Sequence, residues 1–73
     1  MEQTYGQKAV GLDFNPSNNG FVSTVKQNYA MIIDGLNEMR AATEDTEQKR
    51  LIAIAITEAQ SACMWAVKAA TWK

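Results

Sequence analysis

Val22, Val25, Tyr29, Ile32, Leu36 and Met39 recur at spacings of three, four, three, four and three. That rhythm draws one apolar stripe along a helix, the seam of a coiled-coil-like element. Phe21 and Ile33 widen it on one flank. Downstream, Ile52, Ala55, Ala59, Ala62, Ala66 and Ala69 repeat the same spacing, with five alanines in six positions. Small residues along one face let two helix backbones approach closer than the usual ~8–10 Å. The sequence therefore predicts an all-α chain: an antiparallel two-helix hairpin over residues 19–73, preceded by a short N-terminal arm over residues 1–18.

The arm reads as irregular. It holds Gly6, Gly11 and the single proline, and Asn15-Pro16-Ser17-Asn18-Asn19-Gly20 is a turn cluster. Lys8 to Leu12 could form a short strand, but a lone strand finds no partner inside this chain. Pro16 and the neighbouring Asn and Ser residues suit the first helix's entry, because Pro tolerates a first turn and Asn or Ser side chains accept orphan backbone N–H groups. Gly35, inside that helix, costs about 1 kcal/mol relative to alanine and suggests a close backbone approach. The break falls at Ala42 to Thr46, where Asp45 and Gln48 resemble a capping box and Glu47 lies in the positive first turn. The second helix is expected from Thr46 to Trp72. Beside its alanine seam lie Ile56, Cys63, Val67 and Ala70. On another side lie Leu51, Ile54, Glu58, Ser61, Trp65, Lys68 and Trp72.

Leu51 to Trp72 is long enough to span a bilayer, yet Glu58 and Lys68 would each cost at least ~2.5 kcal/mol at depth. A helix covered by several protein neighbours is the better reading, and no membrane partner is expected. With 73 residues, the chain buries only roughly 60% of its unfolded surface. One cysteine and no histidine exclude a disulfide framework and leave no zinc ligand set. Such small scaffolds need a staple, and oligomerisation is what remains. A homo-oligomer built from dimers is expected.

Seven basic residues against eight acidic ones make no field for a DNA or RNA polymer, although a small anion needs only two or three cations. Met1-Glu2-Gln3-Thr4 has no basic n-region or apolar core, so no signal peptide is expected. The lone cysteine fits a reducing compartment.

No catalytic constellation is visible, and neither enzyme activity nor a cofactor is expected. Asp34 with Glu38, and Asp45 with Glu47, read as a solvated face and a helix start. Cys63 reads as a small core residue. Glu58, Gln60 and Ser61 place polar groups in an otherwise apolar helix, and such groups need partners from another subunit or a ligand. Tyr5, Phe14, Tyr29, Trp65 and Trp72 supply flat faces near Lys26, Lys68 and Lys73. Aromatics stack on bases and lysines hold phosphates, but interface packing and solubility explain the same residues. Backbone donors at the helix start after Asn15-Pro16-Ser17 could add an anion contact.

Ala53 to Thr71, above all Met64-Trp65-Ala66-Val67-Lys68-Ala69-Ala70, resembles the second helix of a phage hairpin-domain family. That family is shared by the anti-CBASS cyclic-nucleotide sponges and the Thoeris anti-defence sponges. Phe14-Asn15-Pro16-Ser17 with Val22 to Lys26 is similar to its entry to the first helix, so the likeness covers about residues 14–71. A hairpin with a short arm is like the anti-CBASS branch. The resemblance implies a homohexamer, a trimer of dimers, that sequesters cyclic nucleotide messengers in the host bacterial cytoplasm without cleaving them. It implies a dinucleotide pocket using an aromatic of the N-terminal segment (Phe14 or Tyr5) and Lys26, flanked by Asn15 and Pro16. On the second helix, Thr57, Gln60 and Ser61 would donate hydrogen bonds, with Trp65 and Lys68 walling the site or joining subunits. Some members bind cyclic trinucleotides through an arginine–threonine pair. Thr57 matches the threonine, while Ile56 stands where the arginine is expected. The residues alone also fit an oligomeric hairpin that scaffolds another protein.

Overall fold

The computed structural model describes residues 2–16 and 18–73. Three helices follow one another, α1 (Tyr5–Val10), α2 (Gly20–Ala42) and α3 (Thr46–Ala70), with no strand among the described residues. The hairpin is formed by α2 and α3 across a three-residue connection, Thr43 to Asp45. Its open end is tied by Asn19 Nδ2, which donates to the Ala70 carbonyl at 3.2 Å. The two helices are therefore antiparallel, as the sequence predicts.

The ends of the helices follow from local chemistry. Asn19 caps α2, its Oδ1 accepting from the amides of Phe21 at 2.8 Å and Val22 at 3.4 Å. Pro16 lies in the preceding turn rather than in the first turn of α2, and Ser17, read as a capping candidate, lies outside the described residues. Asp45 caps α3 by accepting from the Gln48 amide at 2.8 Å. The box is only half made, because Gln48 Oε1 instead accepts the Thr43 hydroxyl at 2.6 Å. α3 stops at Ala70, two residues short of the expected Trp72.

The arm is not wholly irregular, and Lys8 to Leu12 is not a strand. α1 opens with a complete capping box. The Gln7 amide donates to Thr4 Oγ1 at 3.1 Å, and the Thr4 amide donates to Gln7 Oε1 at 2.9 Å. It closes at Gly11, whose φ of 64° is the left-handed conformation that glycine adopts freely. Six residues cannot hold a helix alone in water. Docking on α2 does it: the Gly6 amide donates to Asp34 Oδ1 at 2.7 Å. A Cβ at Gly6 would lie 2.1 Å from the Ala30 carbonyl oxygen, so only glycine fits this crossing. Gly35, expected to mark a close approach, has nothing within 4 Å of a built Cβ. The close approach belongs to Gly6.

The core also differs in phase from the expected seams. On α2 the buried row is Val22, Lys26, Ala30 and Ile33; on α3 it is Ile52, Ile56 and Cys63. Ile33, Ile52 and Ile56 form the centre, with Ala9, Val10, Leu36 and Ala59 packed round them. Seam residues Ile32 and Met39 are 53% and 45% exposed. Ala62 and Ala69 of the alanine seam are exposed too. The reason is the third helix. α2 packs against α1 and α3 together, so its buried row shifts to take in Lys26, Ala30 and Ile33, and the seams are only partly covered: Val22 and Ile52 are buried, while Ile32 and Met39 stand open.

The extents are 44 × 28 × 12 Å. Twelve ångströms is about one helix diameter, so the chain is one layer thick, whereas domains enclose a core between two packed layers. Among the described residues, eleven large apolar side chains consequently stand open, including Phe21, Met31, Ile32, Trp65 and Trp72. α3 is long and apolar enough, by length and composition, to cross a membrane.

Candidate functional site

Lys26 is the centre of the site. It occupies a core position on α2 and is only 6% exposed. A buried ammonium must be paired, and the end of α1 supplies the partners. Its Nζ donates to the Gly11 carbonyl at 2.9 Å and to the Phe14 carbonyl. The Phe14 ring lies 5.5 Å from the ammonium, within cation–π range. Lys26 thus gathers the loop between α1 and α2 onto the hairpin.

Two grooves flank this lysine. The larger, about 440 Å³, is walled by Ala9 and Val10 of α1 and by Gln60, Cys63, Met64 and Val67 of α3, with Phe14 and Lys26 at its edge. The smaller, about 330 Å³, is lined by Phe14, Asn15, Pro16, Val22, Lys26, Val67 and Thr71. Of the residues lining both, only Lys26 carries a charge. Gln60 Nε2 donates to the Ala9 carbonyl at 3.2 Å, fixing α3 to α1. Asn15 Nδ2 donates to the Asn19 carbonyl at 2.9 Å and to Ser23 Oγ at 3.1 Å, holding the second groove's rim. An apolar slot with one cation and a few amides suits a ligand with flat apolar faces and an anionic group.

Burial pushes the Cys63 thiol above its ordinary value, with the nearby Lys26 charge opposing. The side chain is 3% exposed, so it walls the groove as a neutral thiol. Among the described residues no cluster of His, Cys, Asp and Glu could hold a metal ion.

Of the residues singled out from sequence, Phe14, Asn15, Pro16, Lys26 and Gln60 come together here. Tyr5 does not. It lies at the start of α1, its ring 5.5 Å from the Arg40 guanidinium, which leaves Phe14 as the aromatic at Lys26. Thr57 lies on a separate shallow surface with Arg50, Ala53, Ile54 and Glu58. Trp65 and Lys68 pair with each other at 5.4 Å on a flank shared with Met64. Ser61 is half-buried and lines neither groove. The start of α2 is less open to an anion than expected, because Asn19 already takes the amides of Phe21 and Val22.

Sequence reasoning missed the apolar walls. Cys63, Met64 and Val67 sit at i+3, i+4 and i+7 from the predicted Gln60, a helix face readable from spacing alone. Ala9 and Val10 carried no such signal, because α1 is too short to show a period.

No curated protein and no solved structure matches the chain. The model of one family, described as Acb2/Tad1, hairpin domain, matches residues 7–71. That span takes in α2, α3, the Lys26 loop and most of α1, and the chain belongs to the Acb2/Tad1 hairpin-domain family.

Proposed function

We propose that this protein is a phage anti-defence sponge, which binds a cyclic nucleotide messenger in the host bacterial cytoplasm and holds it without cleaving it. The observation that carries this reading is the Phe14–Lys26 pair between two apolar grooves. A purine stacks on Phe14, and the Lys26 ammonium neutralises phosphate. Gln60 and Asn15 offer amide groups to the base and sugar. The ligand class favoured is a cyclic dinucleotide, with cyclic ADP-ribose isomers sharing the same chemistry. Sequestration then works by mass action, since tight stoichiometric binding lowers the free messenger.

A single-layer protomer leaves these grooves open on one side, and many large apolar side chains stand uncovered. Both observations favour a homo-oligomer, a trimer of dimers, in which a neighbouring copy closes the pocket and supplies Tyr5, Thr57, Ser61, Trp65 or Lys68. Association at about 25 cal/mol per Å² of buried apolar area supplies the staple the small chain lacks. The same exposed side chains favour a second reading, an oligomeric scaffold for another protein with no small ligand.

Isothermal titration against cyclic dinucleotides and cyclic ADP-ribose isomers tests the proposal. Stoichiometric heat is expected with at least one of them, and intact ligand is expected back after heat denaturation of the protein. Silence across the panel sinks the sponge reading and leaves the scaffold, while a cleaved ligand would make the protein an enzyme.

A further inference from the structure

Resting on the nucleotide-binding reading, we infer that Lys26 is a latch. In the ligand-free chain it holds the Gly11–Phe14 loop, and ligand phosphate takes more than its one remaining N–H donor only by displacing that loop. An ammonium has three N–H donors. Two of them are committed to the Gly11 and Phe14 carbonyls, and the side chain is 94% buried, being 6% exposed. A phosphate arriving at the groove therefore meets a cation with two of its three donors already held by carbonyls and the Phe14 ring beside it.

The exchange is chemically favourable. The ammonium–carbonyl bonds are already charge-assisted, and a phosphate adds to them the Coulomb attraction of a full opposite charge, which a carbonyl dipole lacks. The displaced carbonyls are not stranded either. Gly11 still accepts from the Phe14 amide, at 2.9 Å. Phe14 is 73% exposed, so its carbonyl turns to water. Because Phe14 lies on the released loop, its ring moves as the cation is freed. Cation release and placement of the stacking aromatic are then one event, and neither half of the site forms without the other. Gly11, already at φ 64°, is the residue able to absorb the backbone change.

The test follows the backbone carbonyl carbons of Gly11 and Phe14 by triple-resonance NMR during titration of the native protein with cyclic GMP–AMP, cyclic di-AMP and cyclic di-GMP. Ligand-free Lys26→Met supplies the reference for carbonyls that have lost the ammonium. The latch predicts that both carbons shift upfield on binding, in the direction Lys26→Met produces. Should Lys26→Met not fold, the upfield direction is read from the native titration alone. Saturable binding with both carbonyls unmoved overturns the latch and leaves the functional reading standing. No binding by any of the three, nor by cyclic ADP-ribose isomers titrated alongside, removes both, so the two failures are told apart.

Discussion

Asp34 Oδ1 accepts the amide of Gly6 at 2.7 Å, and this pair joins α1 to the middle of α2. It acts at the point where the two backbones come closest, beside the Ala30 carbonyl. Everything that α1 brings to the Lys26 grooves depends on this docking: Ala9, Val10, and the Gly11 and Phe14 carbonyls.

Gly6→Ala is expected to break that docking. Its Cβ would sit 2.1 Å from a main-chain oxygen, which cannot rotate away as a side chain could. Overpacking of this kind costs about 1–3 kcal/mol. Thermal unfolding should show the loss, and faster amide exchange should be concentrated in α1. Gly35→Ala is the control. It has open space around it and a helical position, and should gain up to about 1 kcal/mol in an isolated chain.

Asp34→Ala removes the acceptor rather than the space. Hydrogen bonds to a charged group contribute about 1.5–3 kcal/mol, and the loss should again appear first as exchange from α1. The same signature from Asp34→Ala and Gly6→Ala is expected only if both act through the crossing.

The hairpin was legible in the sequence because Asn19, Asp45 and the apolar periods fix α2 and α3 from purely local chemistry. α1 was not, although Thr4 and Gln7 carry a capping-box spacing. Six residues with a glycine at the second position show no period, and the helix exists through contacts with Asp34 and Ala30. The same tertiary contact explains the phase error in the core. The seam of Val22, Val25, Tyr29, Ile32, Leu36 and Met39 is the most regular apolar row. Yet packing against two helices at once buries Lys26, Ala30 and Ile33 instead. Lys26 was picked out as a ligand contact, but its burial and its carbonyl partners could not be read without α1. Tyr5 and Phe14 were equivalent candidates in the sequence, and the geometry of the Lys26 loop separates them.

Phe14→Ala separates the sponge from the scaffold better than a change at Lys26, which also holds the loop. Phe14 is 73% exposed, so its truncation costs the fold little. Losing a stacked base is worth about 1–3 kcal/mol, a drop of roughly five- to a hundred-and-fiftyfold in affinity by titration. A scaffold would keep its full partner binding in this variant.

Cys63 gives a pH signature. Its thiol is pushed up in the folded chain by burial, so the folded state binds its proton more tightly than the unfolded state does. Stability from this group is present below the ordinary thiol value and is lost as pH rises through the folded value. Denaturant midpoints should fall above about pH 9, the ordinary thiol value, and Cys63→Ala should flatten that fall while lowering stability at neutral pH. At pH 7, alkylation of Cys63 should be slow in the folded protein and become rapid when denaturant is added.

Assembly is tested on the seam that the core leaves open. Ile32 is 53% exposed, so Ile32→Glu buries no new charge within one protomer and should leave its helix content unchanged. In an assembly built on the seam, the same carboxylate would be buried against apolar neighbours with no partner, which costs several kcal/mol per copy. Sedimentation equilibrium should therefore find the native chain as a multiple of 8.1 kDa, six-fold for a trimer of dimers, and Ile32→Glu shifted to smaller species. Met31→Glu supplies the contrast, because Met31 is 72% exposed and lies about 100° round α2 from Ile32, off the seam. Equal dissociation by both variants would place the interface elsewhere, and a native chain that sediments as a monomer would remove the proposed closure of the Lys26 grooves by a neighbouring copy.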